Sequence, residues 1–166
     1  ARMLDVTYRV SLLPSSSRLP DKGWGATLSI TGLEKPYAER YGEVTPANLL
    51  RFMVLDESNP SSIYSCLRGA RENAHAVRGT LTSETWETIN TTWLEMRSRK
   101  LSDLLGAEDT EFFEWVKYRS HLSRGVTVGT MLQDEAFNFI RLGTFLERGD
   151  NTARILDVKY DVLLPS

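Results

Sequence analysis

Leu146-Glu147-Arg148-Gly149-Asp150-Asn151-Thr152-Ala153-Arg154-Ile155-Leu156-Asp157 lies inside a longer run whose apolar residues recur in alternating steps of three and four. Phe139, Leu142, Leu146, Gly149, Ala153, Leu156, Tyr160 and Leu163 fall on one stripe of a helix, the pattern of an inward-facing seam. Asp134 is placed to cap the start and Pro165 to stop the end. At ~1.5 Å per residue such a helix runs about 45 Å, a length suited to a bundle. The spacing therefore predicts an all-α fold, a helical bundle, with this helix as its central element. Gly costs about 1 kcal/mol against Ala inside a helix, so Gly149 reads as a point of close backbone approach.

The end of that run also occurs at the other end of the chain. Ala1 to Ser15 and Ala153 to Ser166 agree at eleven of fourteen positions once Ser11 is treated as an insertion. A repeat so widely separated indicates duplication of a whole helical unit rather than a solenoid array. The expectation is an internally duplicated helical segment related by approximate twofold pseudo-symmetry. Leu4, Tyr8 and Leu12 should then share the burial of Leu156, Tyr160 and Leu163. The first copy begins in the middle of what should be the same helix, and the second stops where a following module would be expected. Residues 1–166 are accordingly expected to be one helical domain, truncated at both ends.

Caps signal the other helices. Asn59-Pro60 offers an N-cap and a first-turn proline ahead of a stripe of Ile63, Leu67, Ala70, Ala74, Val77 and Leu81. Thr45-Pro46 opens a helix carrying Leu49, Leu50, Phe52 and Met53. Ser83 opens one with Trp86, Ile89, Trp93 and Met96, and Asp109 one with Phe112, Phe113 and Val116. Ser15 to Gly25, rich in Ser, Pro and Gly, reads as a loop or a junction. Ala26 to Ile30 and Val126 to Val128 alternate like strands, but no run of strands exists for them to pair with, so they rank as helix or loop.

Composition narrows the function classes. Hydrophobic content of 41%, charged content of 25% and a net charge of −2 belong to an ordinary globular chain, with no basic stripe for a phosphate backbone. Neither nucleic acid nor a membrane is an expected partner. The single Cys66 cannot form an internal disulfide, which fits a reducing compartment and a cytoplasmic location.

Several residues could carry chemistry. On a helix Glu147, Asp150, Asn151, Arg154 and Asp157 share one face, so acid, amide and guanidinium stand together. By spacing alone this is a solvated face with an Asp150 to Arg154 pair worth about 0.2–0.5 kcal/mol. Arg2 and Asp5 reproduce Arg154 and Asp157 in the other copy, which argues for more than solvation: a buried ion network or a ligand site. Glu147 and Arg154 are two turns apart, so Arg71 is expected to approach Glu147 or Asp150 from another helix. Glu72-Asn73-Ala74-His75 has the Glu-x-x-His spacing of carboxylate-bridged two-metal bundles, but no second such pair exists, and Arg71 and Arg78 oppose a cation. No metal and no cofactor are expected, and His75 should be exposed. His121 is a candidate general base, with a capping or core role as the alternative. Cys66 reads as core. Gly23-Trp24-Gly25 lacks the strand and third glycine of a phosphate loop.

Glu147-Arg148 followed by Asn151-Thr152-Ala153-Arg154 and Leu156-Asp157-Val158, with Asn59-Pro60-Ser61-Ser62 and Ala70-Arg71-Glu72-Asn73, resembles the bacterial alpha-E family, an alpha-helical domain named for its Glu-Arg motif. The resemblance extends through Tyr41 to Pro46, Trp86 with Asn90, Ser120-His121, and Thr130-Met131-Leu132; Gly149 departs from it, the family more often having Ala there. It implies a protein roughly twice this length. It also implies partnership with a circularly permuted ATP-grasp protein and with a transglutaminase-like protein, in amide or peptide bond chemistry. Glu147 would be the acid or base, with Arg148, Arg154 and Arg71 holding a carboxylate or phosphate of a peptide, beside Glu72, Asn73, Asp150 and Asn151. The competing expectation is a non-catalytic helical adaptor in which these residues are struts.

Overall fold

A computed structural model of the chain describes residue 4, residues 20–100 and residues 109–163. The helices are α1 (Pro20–Thr31), α2 (Glu34–Tyr41), α3 (Pro46–Leu50), α4 (Ile63–Ala76), α5 (Ser83–Arg97), α6 (Asp109–Thr130) and α7 (Glu135–Leu163), and none of the described residues forms a strand. The all-α bundle expected from the periodicity is the fold observed.

Local chemistry explains most boundaries. Thr45 Oγ1 accepts from the Asn48 backbone N–H at 3.2 Å ahead of Pro46, the capped, proline-led start that the sequence suggested for α3. The chain then widens into a π turn over Arg51–Leu55, closed by Asp56 N–H donating to the Arg51 carbonyl at 3.0 Å. That wider turn places Phe52, Met53 and Val54 in the interior consecutively, which a regular helix facing the core on one side does not do. Tyr37 stacks on Tyr41 with centroids 5.3 Å apart, and both rings meet the edge or face of Phe52. Trp24 and Leu28 of α1, Leu49 and Leu50 of α3, Met96 of α5 and Phe112 and Phe113 of α6 complete this core, and Leu4 joins it.

Two boundaries differ from the sequence reading. Residues 20–25 belong to α1 rather than to a loop, because Pro20 suits a first helical turn and Trp24, Thr27 and Leu28 bury one face. The strand-like residues 26–30 and 126–128 are helical, in keeping with their ranking as helix or loop. α4 starts at Ile63, capped by Ser62 Oγ accepting from Ser65 N–H at 3.1 Å, and not at Pro60. Asn59 is spent elsewhere: its buried amide donates to the Phe52 carbonyl at 3.0 Å and its Oδ1 accepts from Ser61 N–H at 3.0 Å, tying the loop to the π turn. α5 opens at Ser83 as the sequence indicated, with Thr82 as the residue that caps it.

α4, α5 and α6 pack in succession, α4 also resting on the π turn, while α7 lies chiefly against α1. Here the central place expected for the Asp134 helix is corrected. Asp134 does cap it, Oδ1 accepting from Phe137 N–H at 3.1 Å, and Phe137 is buried. Beyond that first turn the seam faces outward: Phe139 and Leu146 are each 65% exposed, and Leu142 and Leu156 are also exposed. Periodicity establishes that a stripe exists, but burial requires a second surface of matching shape, and α1 meets only part of a helix this long.

The twofold expected between residues 1–13 and 153–164 lies outside the described residues except at one pair. Leu4 is 3% exposed and its counterpart Leu156 is 61% exposed, so the burial of this pair does not match. Gly149 has nothing within 4 Å of where a Cβ would stand, so no close approach accounts for it among the described residues.

Candidate functional site

The Glu-Arg segment forms an exposed polar face on α7. Glu147 Oε1 accepts from Asn151 Nδ2 at 2.7 Å, and Arg154 Nε donates to Asp150 Oδ2 at 2.8 Å. Both are i,i+4 pairs within one helix, as the spacing allowed. Arg154 Nη1 also reaches the Thr31 carbonyl at 3.3 Å, at the C-terminal end of α1, where a cation complements the last carbonyls. Asp150 raises the guanidinium pKa of Arg154 by hydrogen bond and charge. Arg148 is exposed. This face is neither a buried ion network nor an enclosed cleft.

Arg71 does not approach it. Its Nε donates to Asn90 Oδ1 of α5 at 3.3 Å, and its guanidinium lies 5.9 Å from the centroid of the Trp86 ring. The expectation that Arg71 meets Glu147 or Asp150 is thus corrected: α4 packs on α5, which turns this part of its surface toward Trp86 and Asn90. Glu72 and Asn73 are exposed neighbours on α4.

Cys66 of α4 lies within electrostatic range of Glu147. Burial of the sulfur, which points toward the Pro60 carbonyl at 3.7 Å, and then the Glu147 carboxylate push its thiol pKa up. Its residue surface is nevertheless exposed, so Cys66 is not the core residue expected from its place beside the Ile63 stripe. His121 is exposed on α6, away from any hydrogen-bonding partner among the described residues. His75 is also exposed, its ring 5.8 Å from that of Trp86.

Two arrangements were not read from the sequence. Trp86 has two cations at its ring, Arg71 at 5.9 Å and Arg78 at 4.9 Å from its centroid. The signal was present in the spacing of Arg71, His75 and Arg78, four and three apart. The other is Arg119 of α6, whose Nε donates to Thr92 Oγ1 at 2.7 Å while Nη2 reaches Thr91 Oγ1 at 2.6 Å and the Thr88 carbonyl at 3.1 Å. Thr88, Thr91 and Thr92 on one face of α5 could have suggested it. This cluster locks α6 to α5, and Trp115 Nε1 donating to Glu95 at 2.7 Å extends it.

Shallow depressions accompany these features. One of about 250 Å³ is lined by Glu57, Ser58, Pro60, Ser65, Arg68 and Glu72, with Arg68 paired to Glu57 at 2.8 Å; another of about 420 Å³ adjoins Asp134, Asn138, Phe139 and Leu142. Among the described residues no three His, Cys, Asp or Glu side chains are grouped to hold a metal ion, and no helix is long and apolar enough to cross a membrane.

Neither the curated proteins nor the solved structures contain a match to this chain. A family model, Alpha-E, described as "a predicted alpha-helical domain with a conserved ER motif", matches residues 1–166. Glu147-Arg148, on the exposed face of α7, has the residues of such a motif. The chain belongs to the Alpha-E family.

Proposed function

We propose that this chain is the helical partner of a circularly permuted ATP-grasp protein in amide or peptide bond formation or peptide modification. In this reading the ATP-grasp protein supplies the acyl phosphate and the alpha-E chain holds and presents the peptide. The observation that carries it is the outer side of α7, where exposed Phe139, Leu142, Leu146 and Leu156 run beside the polar row of Glu147, Asp150, Asn151 and Arg154. A contiguous apolar stripe rimmed by charge is a surface built to be covered by another protein. Glu147 is open to water, and an acid or base works best in a dry, shaped site, so a partner must complete the surroundings before Glu147 can act on a peptide.

The bond from Arg154 to the Thr31 carbonyl favours a second reading, a non-catalytic adaptor whose polar row braces α7 on α1. Co-purification of the full-length protein with its ATP-grasp partner, followed by mass analysis of peptides after adding ATP, tests both. The complex should form, and Leu146→Glu should abolish it while leaving the fold intact. If Glu147→Gln keeps the complex but stops the peptide mass change, Glu147 acts in the chemistry. If the mass change persists, the chain is an adaptor. Failure of the wild-type pair to associate overturns the proposal, and association with a transglutaminase-like protein instead would redirect it.

A further inference from the structure

Arg71 and His75 on α4 and Arg78 in the 3-10 turn that follows it project from one side of the chain toward Trp86 of α5. Their spacing of four and then three residues places them in line. The Arg71 guanidinium is 5.9 Å from the Trp86 centroid, that of Arg78 is 4.9 Å away, and the His75 ring is 5.8 Å away. Asn90, one turn after Trp86, holds Arg71 through Nε alone at 3.3 Å. Neither Nη of Arg71 and no nitrogen of Arg78 makes a hydrogen bond among the described residues.

Arg68 is paired with Glu57, Lys117 with Glu114, Arg119 with Glu95, and Arg154 with Asp150. Arg71 and Arg78 have no carboxylate partner among the described residues, although Glu72 stands next to Arg71 in sequence. They share that lack with Arg124, Arg141 and Arg148 among the described residues; what marks this pair is that both guanidinia meet one indole. Two guanidinia gathered on one indole repel each other, and the ring face offsets part of that repulsion. An anion set between the unused N–H groups would remove the rest. Guanidinium forks match the paired oxygens of a carboxylate or phosphate, and the indole orients the forks by stacking.

We infer that Arg71, Arg78 and Trp86, with His75 beside them, form a binding site for an anionic group, a carboxylate or a phosphate. The cluster is built from α4, α5 and the turn between them, so it stands whether or not the ATP-grasp partnership does. A peptide C-terminus and a free phosphate would present the same chemistry to it.

The test is an NMR titration of the folded chain, following the Trp86 indole N–H, identified by its loss in Trp86→Phe, and the arginine Nε–H signals. The probes are inorganic phosphate, a short peptide with a free C-terminal carboxylate, and the same peptide amidated, all against chloride at matched ionic strength. Phosphate or the free-carboxylate peptide should give saturating shifts, and whichever binds names the source. The amidated peptide and chloride should not. Arg78→Gln and Arg71→Gln should each weaken binding at least tenfold, while Arg124→Gln, an exposed residue of α6, should leave it unchanged. Thermal melts of the variants separate lost binding from lost folding, and Arg78→Lys, which keeps the charge, should bind between wild type and Arg78→Gln. No saturation with either anion, equal shifts from the amidated peptide, or unchanged binding in both glutamine variants would each overturn the inference.

Discussion

Arg154 of α7 donates through Nη1 to the Thr31 carbonyl at the end of α1, 3.3 Å away, directly beside Gly32 at φ +66°. The helix ends there because Gly32 enters the left-handed region, which exposes the final carbonyls to a cation from another helix. A Cβ at Gly32 would stand 3.4 Å from Arg154 Nη1. Gly32→Ala should therefore destabilise by about 1–2 kcal/mol, mainly from the backbone conformation. Arg154→Gln should change the melting temperature little, because the guanidinium is exposed. Comparing the two melts checks that order.

Gly149 offers the opposite case. It lies in mid-helix with open space where a side chain would go. Gly149→Ala should stabilise the chain by about 1 kcal/mol through helix propensity alone. Urea denaturation reads this, and a loss of stability would mean that something approaches the backbone at that point.

Removing Arg119 should matter more than removing Glu147. The Arg119 side chain is 13% exposed and bonds three α5 threonines, so Arg119→Met should cost about 2 kcal/mol. Glu147→Ala removes a solvated contact to Asn151 and should cost less than about 1 kcal/mol. Paired thermal melts decide it.

Tyr41 and Asp56 give the fold a pH dependence. Tyr41 donates to Asp56 Oδ2 at 2.7 Å; burial first, then this bond and the Asp56 charge, push its pKa from 10.0 to about 12. A raised folded-state pKa stabilises below pH 10 and loses that contribution as pH rises toward 12. For Asp56, burial acts upward, but bonds from Ser58 and Tyr41 outweigh it and hold its pKa below 3.8. Its contribution is present above that value and lost as pH falls through the depressed pKa. Tyr41→Phe should flatten the alkaline limb of stability against pH, and Asp56→Asn the acidic limb.

The core should respond most steeply of all. Phe52 is 1% exposed and meets Tyr37 and Tyr41, so Phe52→Ala should destabilise by about 3–5 kcal/mol in chemical denaturation.

By itself the sequence determined what depends on neighbours along the chain. The three-four stripes, Thr45-Pro46 and Asp134 were enough for an all-α fold and two helix starts, because capping and amphipathic periodicity are local. The Asp150 to Arg154 pair was legible for the same reason, being one helical turn apart, whereas Glu147 was expected to meet Arg71 and instead takes Asn151. Tertiary structure alone decided which stripe found a partner. The α7 seam is as regular in sequence as any, yet it is exposed, since burial depends on a facing surface that no single helix encodes. It likewise decided that Arg71 turns to Trp86 and Asn90 rather than to Glu147, because the packing of α4 on α5 fixes which residues of distant segments come within reach.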